Sequence, residues 1–267
     1  MFCGVKKFLR ACAWLAFALT PVWAITLIEA DIDESLYPES PEETIILKNS
    51  AYIAAFSERR GGPVWVAYAT KYPFEFDNLP RPRKFKIDAR LPRSPTNGDY
   101  MRSGYDRGHM APNYAIMRSY GKRAQEETFL LSNVLPQSPI LNRGVWKRLE
   151  HYIVENLSQV YGRVVVFAGP VYPKSEAQKL GGEKPSREID IPESTFMVVA
   201  VKTAKTTHVL GFIMPQNPDS PDIWRYARPV REIEQKTGLN FFKRKTTRAH
   251  DLREKSTEIE RFNFRKN

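Results

Sequence analysis

The stretch Asp106-Arg107-Gly108-His109-Met110-Ala111-Pro112 sets an acid, a guanidinium, a glycine and an imidazole in four consecutive positions and closes on proline. A neutral imidazole, with an ordinary pKa of about 6.5, accepts a proton from water at neutral pH. A guanidinium clamps a phosphate through two parallel hydrogen bonds. Glycine admits backbone geometry that other residues resist. The remaining histidines have weaker surroundings: His151 falls in a helical pattern, His208 in a strand pattern and His250 in the C-terminal stretch. No two histidines are close enough in sequence to suggest a metal pair. Taken alone, the motif is also satisfied by a turn with an incidental histidine.

Two further clusters lie on either side. Downstream, Ser132-Asn133, Pro136-Gln137 and the run from Asn142 to Glu150 precede and enter a helical pattern. Trp146, Leu149, Ile153, Leu157 and Val160 recur at three- and four-residue spacing, which predicts one apolar stripe on a helix over 144–160. Asn142 suits the N-cap of that helix. Its side-chain oxygen is also a hard ligand, and an Asn and a Glu near an imidazole suit hydrated Mg²⁺, which keeps several waters and takes few protein ligands. Upstream, Arg81-Pro82-Arg83-Lys84-Phe85-Lys86-Ile87-Asp88 alternates bases with Phe85 and Ile87, as a strand with one charged face would. Contact with phosphate and a solvated edge strand both fit it.

The chain has 267 residues, 42% hydrophobic and 27% charged, enough to bury a substantial core. It carries 41 Lys+Arg against 30 Asp+Glu, a net charge of +11. That excess favours polyanionic partners, nucleic acid first and an anionic membrane surface second. Residues 1–24 combine a basic start (Lys6, Lys7, Arg10), an apolar run from Ala11 to Leu19 and a small residue at Ala24. The run is too short to span a bilayer, so the stretch reads as a signal peptide and the chain as exported, to the periplasm or the medium. Its removal leaves a net charge of +8, takes away both cysteines and leaves no integral membrane span. Residues 25–43 read as an extended acidic arm, with seven acids and no base between Glu29 and Glu43. From Thr44 on, 38 bases face 23 acids, a net +15. An arm folded over a basic cleft would compete with an anionic substrate. Residues 44–242 form the main domain and 243–267 a basic tail.

Strand patterns stand out at 64–68, 164–167, 196–201 and 208–213, all rich in β-branched or aromatic residues. Helical and strand patterns are interspersed without regular βαβ alternation, so the expected class is α+β with a central antiparallel sheet flanked by helices. Phosphate loops of the GxxxxGK type, HExxH zinc helices, GxSxG elbows and EF-hand loops do not occur.

In this order the pieces resemble the DNA/RNA non-specific endonucleases, which carry a ββα-metal (His-Me) finger. The resemblance rests on DRGH at 106–109 with Met110-Ala111-Pro112, Ser132-Asn133, Pro136-Gln137 and the run from Asn142 to Glu150, and extends over roughly residues 60–242. It implies that His109 is the general base activating water. Asn142 would be the sole direct protein ligand of Mg²⁺, with Mn²⁺ as the alternative ion. Glu150 would hold the water shell, and Arg83 would bind the scissile phosphate with Arg107 in support. Asn133 and Gln137 would shape the substrate site. The strands leading to His109 would be the ββ of the finger, the helix containing Asn142 its α. Products with 5′-phosphate ends are implied, from DNA, RNA or both. A non-catalytic nucleic-acid-binding protein of the same fold is the alternative, distinguished by plasmid degradation in Mg²⁺. The sequence leaves open a phosphodiesterase for small substrates, a homodimer and an inhibitor protein as partner.

Overall fold

The computed structural model describes residues 32–204 and 207–241; the expected signal peptide, residues 25–31 of the arm and the basic tail lie outside them. No helix among the described residues is long and apolar enough to cross a membrane.

Seven antiparallel strands form the main sheet: β1 (Ile45–Lys48), β2 (Tyr52–Ser57), β3 (Gly62–Lys71), β6 (Arg163–Val171), β7 (Ser194–Lys202), β8 (Thr207–Pro215) and β9 (Ala227–Arg228), in that spatial order. All four sequence patterns lie within its strands. The alternation along each strand explains why the sheet is buried on both faces. Tyr52, Ala54, Phe56, Val66, Tyr68, Val164, Val166, Ala168, Met197 and Val199 point into one core. Their neighbours Ile53, Ala55, Trp65, Ala67, Val165, Phe167, Phe196 and Val198 point into the other. The protein is therefore layered, α+β, with the sheet in the middle.

The first face carries a separate two-stranded ribbon, β4 (Asp106–His109) and β5 (Val134–Gln137), paired Asp106 to Gln137 and His109 to Val134. Only β4 leads up to His109; β5 follows it in sequence, contrary to the expectation that both strands precede it. The ribbon straddles the excursion 110–133, which holds the helix Asn113–Glu127.

Against the same face lies a helical run starting at Pro139 and continuing through 161. It comprises a π-helical turn Leu141–Trp146, an α segment Lys147–Tyr152, a second π turn Ile153–Ser158 and a last α turn Gln159–Tyr161. The expected boundary at 144 is thus too late. Ser138 caps the run, its Oγ accepting from the Leu141 N–H at 3.2 Å, and Pro139 takes the first helical position, where its missing N–H costs nothing. Asn142 is therefore not the N-cap but lies inside the first turns. Trp146, Leu149, Ile153 and Leu157 are buried as the stripe requires, but Val160 is 55% exposed at the end of the run, just before Gly162 terminates it at φ +75°.

Two other expectations change. The basic run 81–88 is not a strand: it is irregular, held by one parallel bridge between Lys86 and Leu130, and Ile87 is exposed. Residues 32–43 are not a solvated arm. Ile32, Leu36 and Tyr37 pack on the second face beside Trp65, Leu239 and Phe241, and Glu39 bridges Asn240. Glu42 accepts from Arg59 and Arg60. The described part of the arm lies across the sheet from the ribbon, so it does not cover the face carrying His109.

Candidate active site

His109 ends β4 with its side chain 8% exposed, 5.1 Å from the Phe85 ring and edge-on to Phe129 at 5.0 Å. Its Nε2 has no hydrogen-bond partner. Burial, helped by the positive charge of Arg81, lowers its pKa to about 3. The imidazole is neutral across the physiological range, with an unspent ring nitrogen. A buried polar atom without a partner calls for an explanation, and a water or substrate at that nitrogen supplies one.

The turn after His109 is stapled by Asn133. Its Oδ1 accepts from the Ala111 N–H at 2.9 Å, and its Nδ2 donates to the carbonyls of Ala111 (3.0 Å) and Thr128 (2.9 Å). Gln137 lies under Gly108, so close that a Cβ there would stand 2.0 Å from Gln137 Oε1, and its Nε2 donates to Thr195 Oγ1 at 3.3 Å. Both side chains are fully buried. Asn133 and Gln137, expected to shape the substrate site, do so only from beneath: both are buried and hold the ribbon that presents His109.

Arg81, and not Arg83, faces the site. The Arg81 guanidinium stands 5.1 Å over the Phe129 ring, and its charge bears on both His109 and Glu150. Both arginines are exposed, but among the described residues only Arg81 has such a contact. A regular strand would have put both arginines on one face; the irregular backbone separates them. What fixes this segment is Asp88, 2% exposed, which accepts from Arg90 at 2.8 and 2.6 Å and from Ser132 Oγ at 2.6 Å. These partners hold its carboxyl below its ordinary pKa although burial alone would raise it. Arg107 stacks near Tyr100 (5.3 Å) and Phe85 (5.7 Å) and donates to the Asn97 carbonyl at 2.8 Å, which places it beside the site in a supporting position.

Asn142 and Glu150 share the helical run. Asn142 Nδ2 donates to Asp106 Oδ2 at 2.9 Å, which ties the helix to the strand that carries His109. Glu150 is half-buried, and burial raises its carboxyl to about 8 against the opposing influence of Trp146, Arg81 and Lys147. Its charge reaches the buried Tyr68 hydroxyl on β3. Among the described residues no three His, Cys, Asp or Glu side chains gather into a metal-binding group. An amide oxygen and a carboxyl that a nearby cation would ionise are hard donors, so the pair fits a divalent cation that keeps most of its water. Arg81, Phe85, Phe129 and Asp106 are the participants to which sequence reasoning gave no role.

Comparison with known proteins gives the family. Residues 32–248 match the DNA/RNA non-specific endonuclease family. The chain is 30% identical over 214 residues to the mitochondrial endonuclease G of Homo sapiens, covering 76% of this chain and 71% of that one. It is 31% identical over 215 residues to a nuclease of Nostoc sp., covering 76% and 74%. Among solved structures, a crystal structure of an EndoG/EndoGI complex superposes with a TM-score of 0.69 at 28% identity, covering 77% of this chain and 89% of that one. The chain belongs to the family of DNA/RNA non-specific endonucleases.

Proposed function

We propose that this protein is an exported, Mg²⁺-dependent endonuclease that hydrolyses phosphodiester bonds of DNA, RNA or both with little sequence preference and leaves 5′-phosphate ends. One observation carries the reading: a buried, neutral imidazole with a free nitrogen lies beside Arg81, on a strand tied through Asp106 to the helix that bears Asn142 and Glu150.

His109 removes the proton from the attacking water; its lowered pKa leaves the imidazole unprotonated at neutral pH, and a bound water must raise its basicity for the transfer. Arg81 takes the place that the sequence assigned to Arg83, binding the scissile phosphate and offsetting the charge that builds in the transition state. Arg107, beside the Phe85 ring, supports it. Asn142 Oδ1 and the Glu150 carboxylate would hold a hydrated divalent ion, which when bound supplies Lewis-acid stabilisation of the leaving oxygen. Mn²⁺ offers the same donor preference. Contacts to backbone phosphate rather than to base edges make the reading of sequence weak. Residues 1–24 support export. The structurally similar EndoG is solved with EndoGI, a complex concerned with inhibition, and an inhibitor protein is a fitting partner here too.

The test is degradation of supercoiled plasmid and of long RNA in Mg²⁺, with and without chelator, followed by end-labelling of the fragments. Chelator-sensitive cleavage with 5′-phosphate ends is expected. Tight binding without cleavage would leave the non-catalytic reading standing.

A further inference from the structure

The Asp106 carboxylate is enclosed by two neighbours from the start of the helical run. Asn142 Nδ2 donates to its Oδ2 at 2.9 Å, while Arg143 donates from Nε to Oδ2 at 2.8 Å and from Nη2 to Oδ1 at 2.7 Å. The Arg143 fork is bidentate, and so fixes the plane of the carboxylate, although Arg143 itself is 71% exposed. An ionised carboxylate only accepts hydrogen bonds, whereas the two ends of a carboxamide are nearly the same size and opposite in character. A fixed carboxylate therefore accepts one orientation of the Asn142 amide and rejects the other. Nitrogen must face Asp106, and the oxygen is left at the opposite corner, where no described residue bonds to it.

We propose that Asp106, locked by Arg143, is a positioning residue that selects the amide orientation of Asn142 and so presents Oδ1 as a cation ligand. It rests on the proposed function in taking Asn142 as that ligand. The first residue of the DRGH motif thus acts neither on water nor on phosphate. It acts through Asn142, as partners behind a ligand generally set that ligand's orientation. Without it the amide turns freely, and in half of its turns it offers the cation an N–H₂ group. The π-helical turn Leu141–Trp146 contributes by carrying Asn142 and Arg143 to the same carboxylate from consecutive positions.

The test uses the full chain without substrate. Mn²⁺ binding is followed by electron paramagnetic resonance and Mg²⁺ binding by calorimetry, with thermal unfolding recorded alongside. Asp106→Ala is expected to weaken cation binding about tenfold, in the range typical of such supporting partners. Asp106→Glu, which keeps an acceptor, should recover part of it. Arg143→Ala, a change at the surface, should weaken binding two- to threefold (~) with an unchanged unfolding midpoint. In the NMR spectrum of the wild type, the Asn142 Nδ2 protons should be sharp and slow to exchange, and Arg143→Ala should broaden them. Cation affinity unchanged in folded Asp106→Ala overturns the inference. Should Asp106→Ala fail to fold, unchanged affinity in Arg143→Ala overturns it instead. A wild type that binds no cation overturns the ligand assignment of Asn142 itself, a different failure from the loss of its orienting partner.

Discussion

The two arginines flanking Pro82 are separable by experiment. Arg81→Ala should lower kcat on a fluorogenic oligonucleotide by about two orders of magnitude, as loss of a transition-state donor does. Arg83→Ala should lower it less than about threefold, since its charge acts only through steering. Equal losses would restore the original assignment. His109→Ala should cost on the order of 10²–10⁴-fold in rate while leaving nucleic-acid binding in place, read by fluorescence anisotropy. The buried charges also give stability a two-sided dependence on pH. His109 is lowered from 6.5 to about 3, so between those values the unfolded chain takes up a proton that the folded chain refuses. Its contribution is full above pH 6.5 and is lost as pH falls towards 3. Glu150 is raised from 4.5 to about 8, so its contribution is full below pH 4.5 and is lost as pH rises towards 8. A cation at Glu150 favours the ionised form, so Mg²⁺ should raise the unfolding midpoint more at pH 8 than at pH 5, as measured by calorimetric scans.

At the level of single elements, His109 was legible because its motif is dense, whereas the choice of Arg81 over Arg83 was not. Period-two alternation treats positions 81 and 83 alike, and only the irregular backbone held by the Asp88 anchor and the bridge at Lys86 sets which one stands over Phe129. The start of the helical run was legible in principle from Ser138-Pro139, but the apolar stripe begins later and drew the boundary with it. The burial of Asn133 and Gln137 was not legible, because polar residues beside a catalytic motif look like contacts until the ribbon is seen to need bracing. That bracing is testable. Gly108→Ala forces its Cβ into Gln137, and because Gln137 is fully buried the clash cannot be relieved by a swing into solvent. A loss of ~1–3 kcal/mol in chemical denaturation is expected, with a fall in kcat as the His109 strand shifts.

Across the whole molecule, the sheet class and its main strands followed from composition and alternation, since both faces of the sheet are apolar. The acidic arm did not: charge suggested solvent, but Ile32, Leu36 and Tyr37 outweigh it by packing on the second face. Deleting residues 25–43 should therefore leave cleavage at low salt no faster and lower the unfolding midpoint, because it uncovers Trp65. Faster cleavage would mean that the arm reaches the cleft after all. The net +15 from Thr44 on gives a separate expectation: substrate affinity falls steeply with added salt, as released counterions oppose binding, and a rate indifferent to ionic strength would contradict electrostatic capture. The pairing of Glu39 with Asn240 brings the two ends of the described chain side by side on the face away from His109. A tether joined directly at Ile32 or Phe241, to a bead or to a lipid film, would consequently hold the molecule by its back and leave its cutting edge pointing outward.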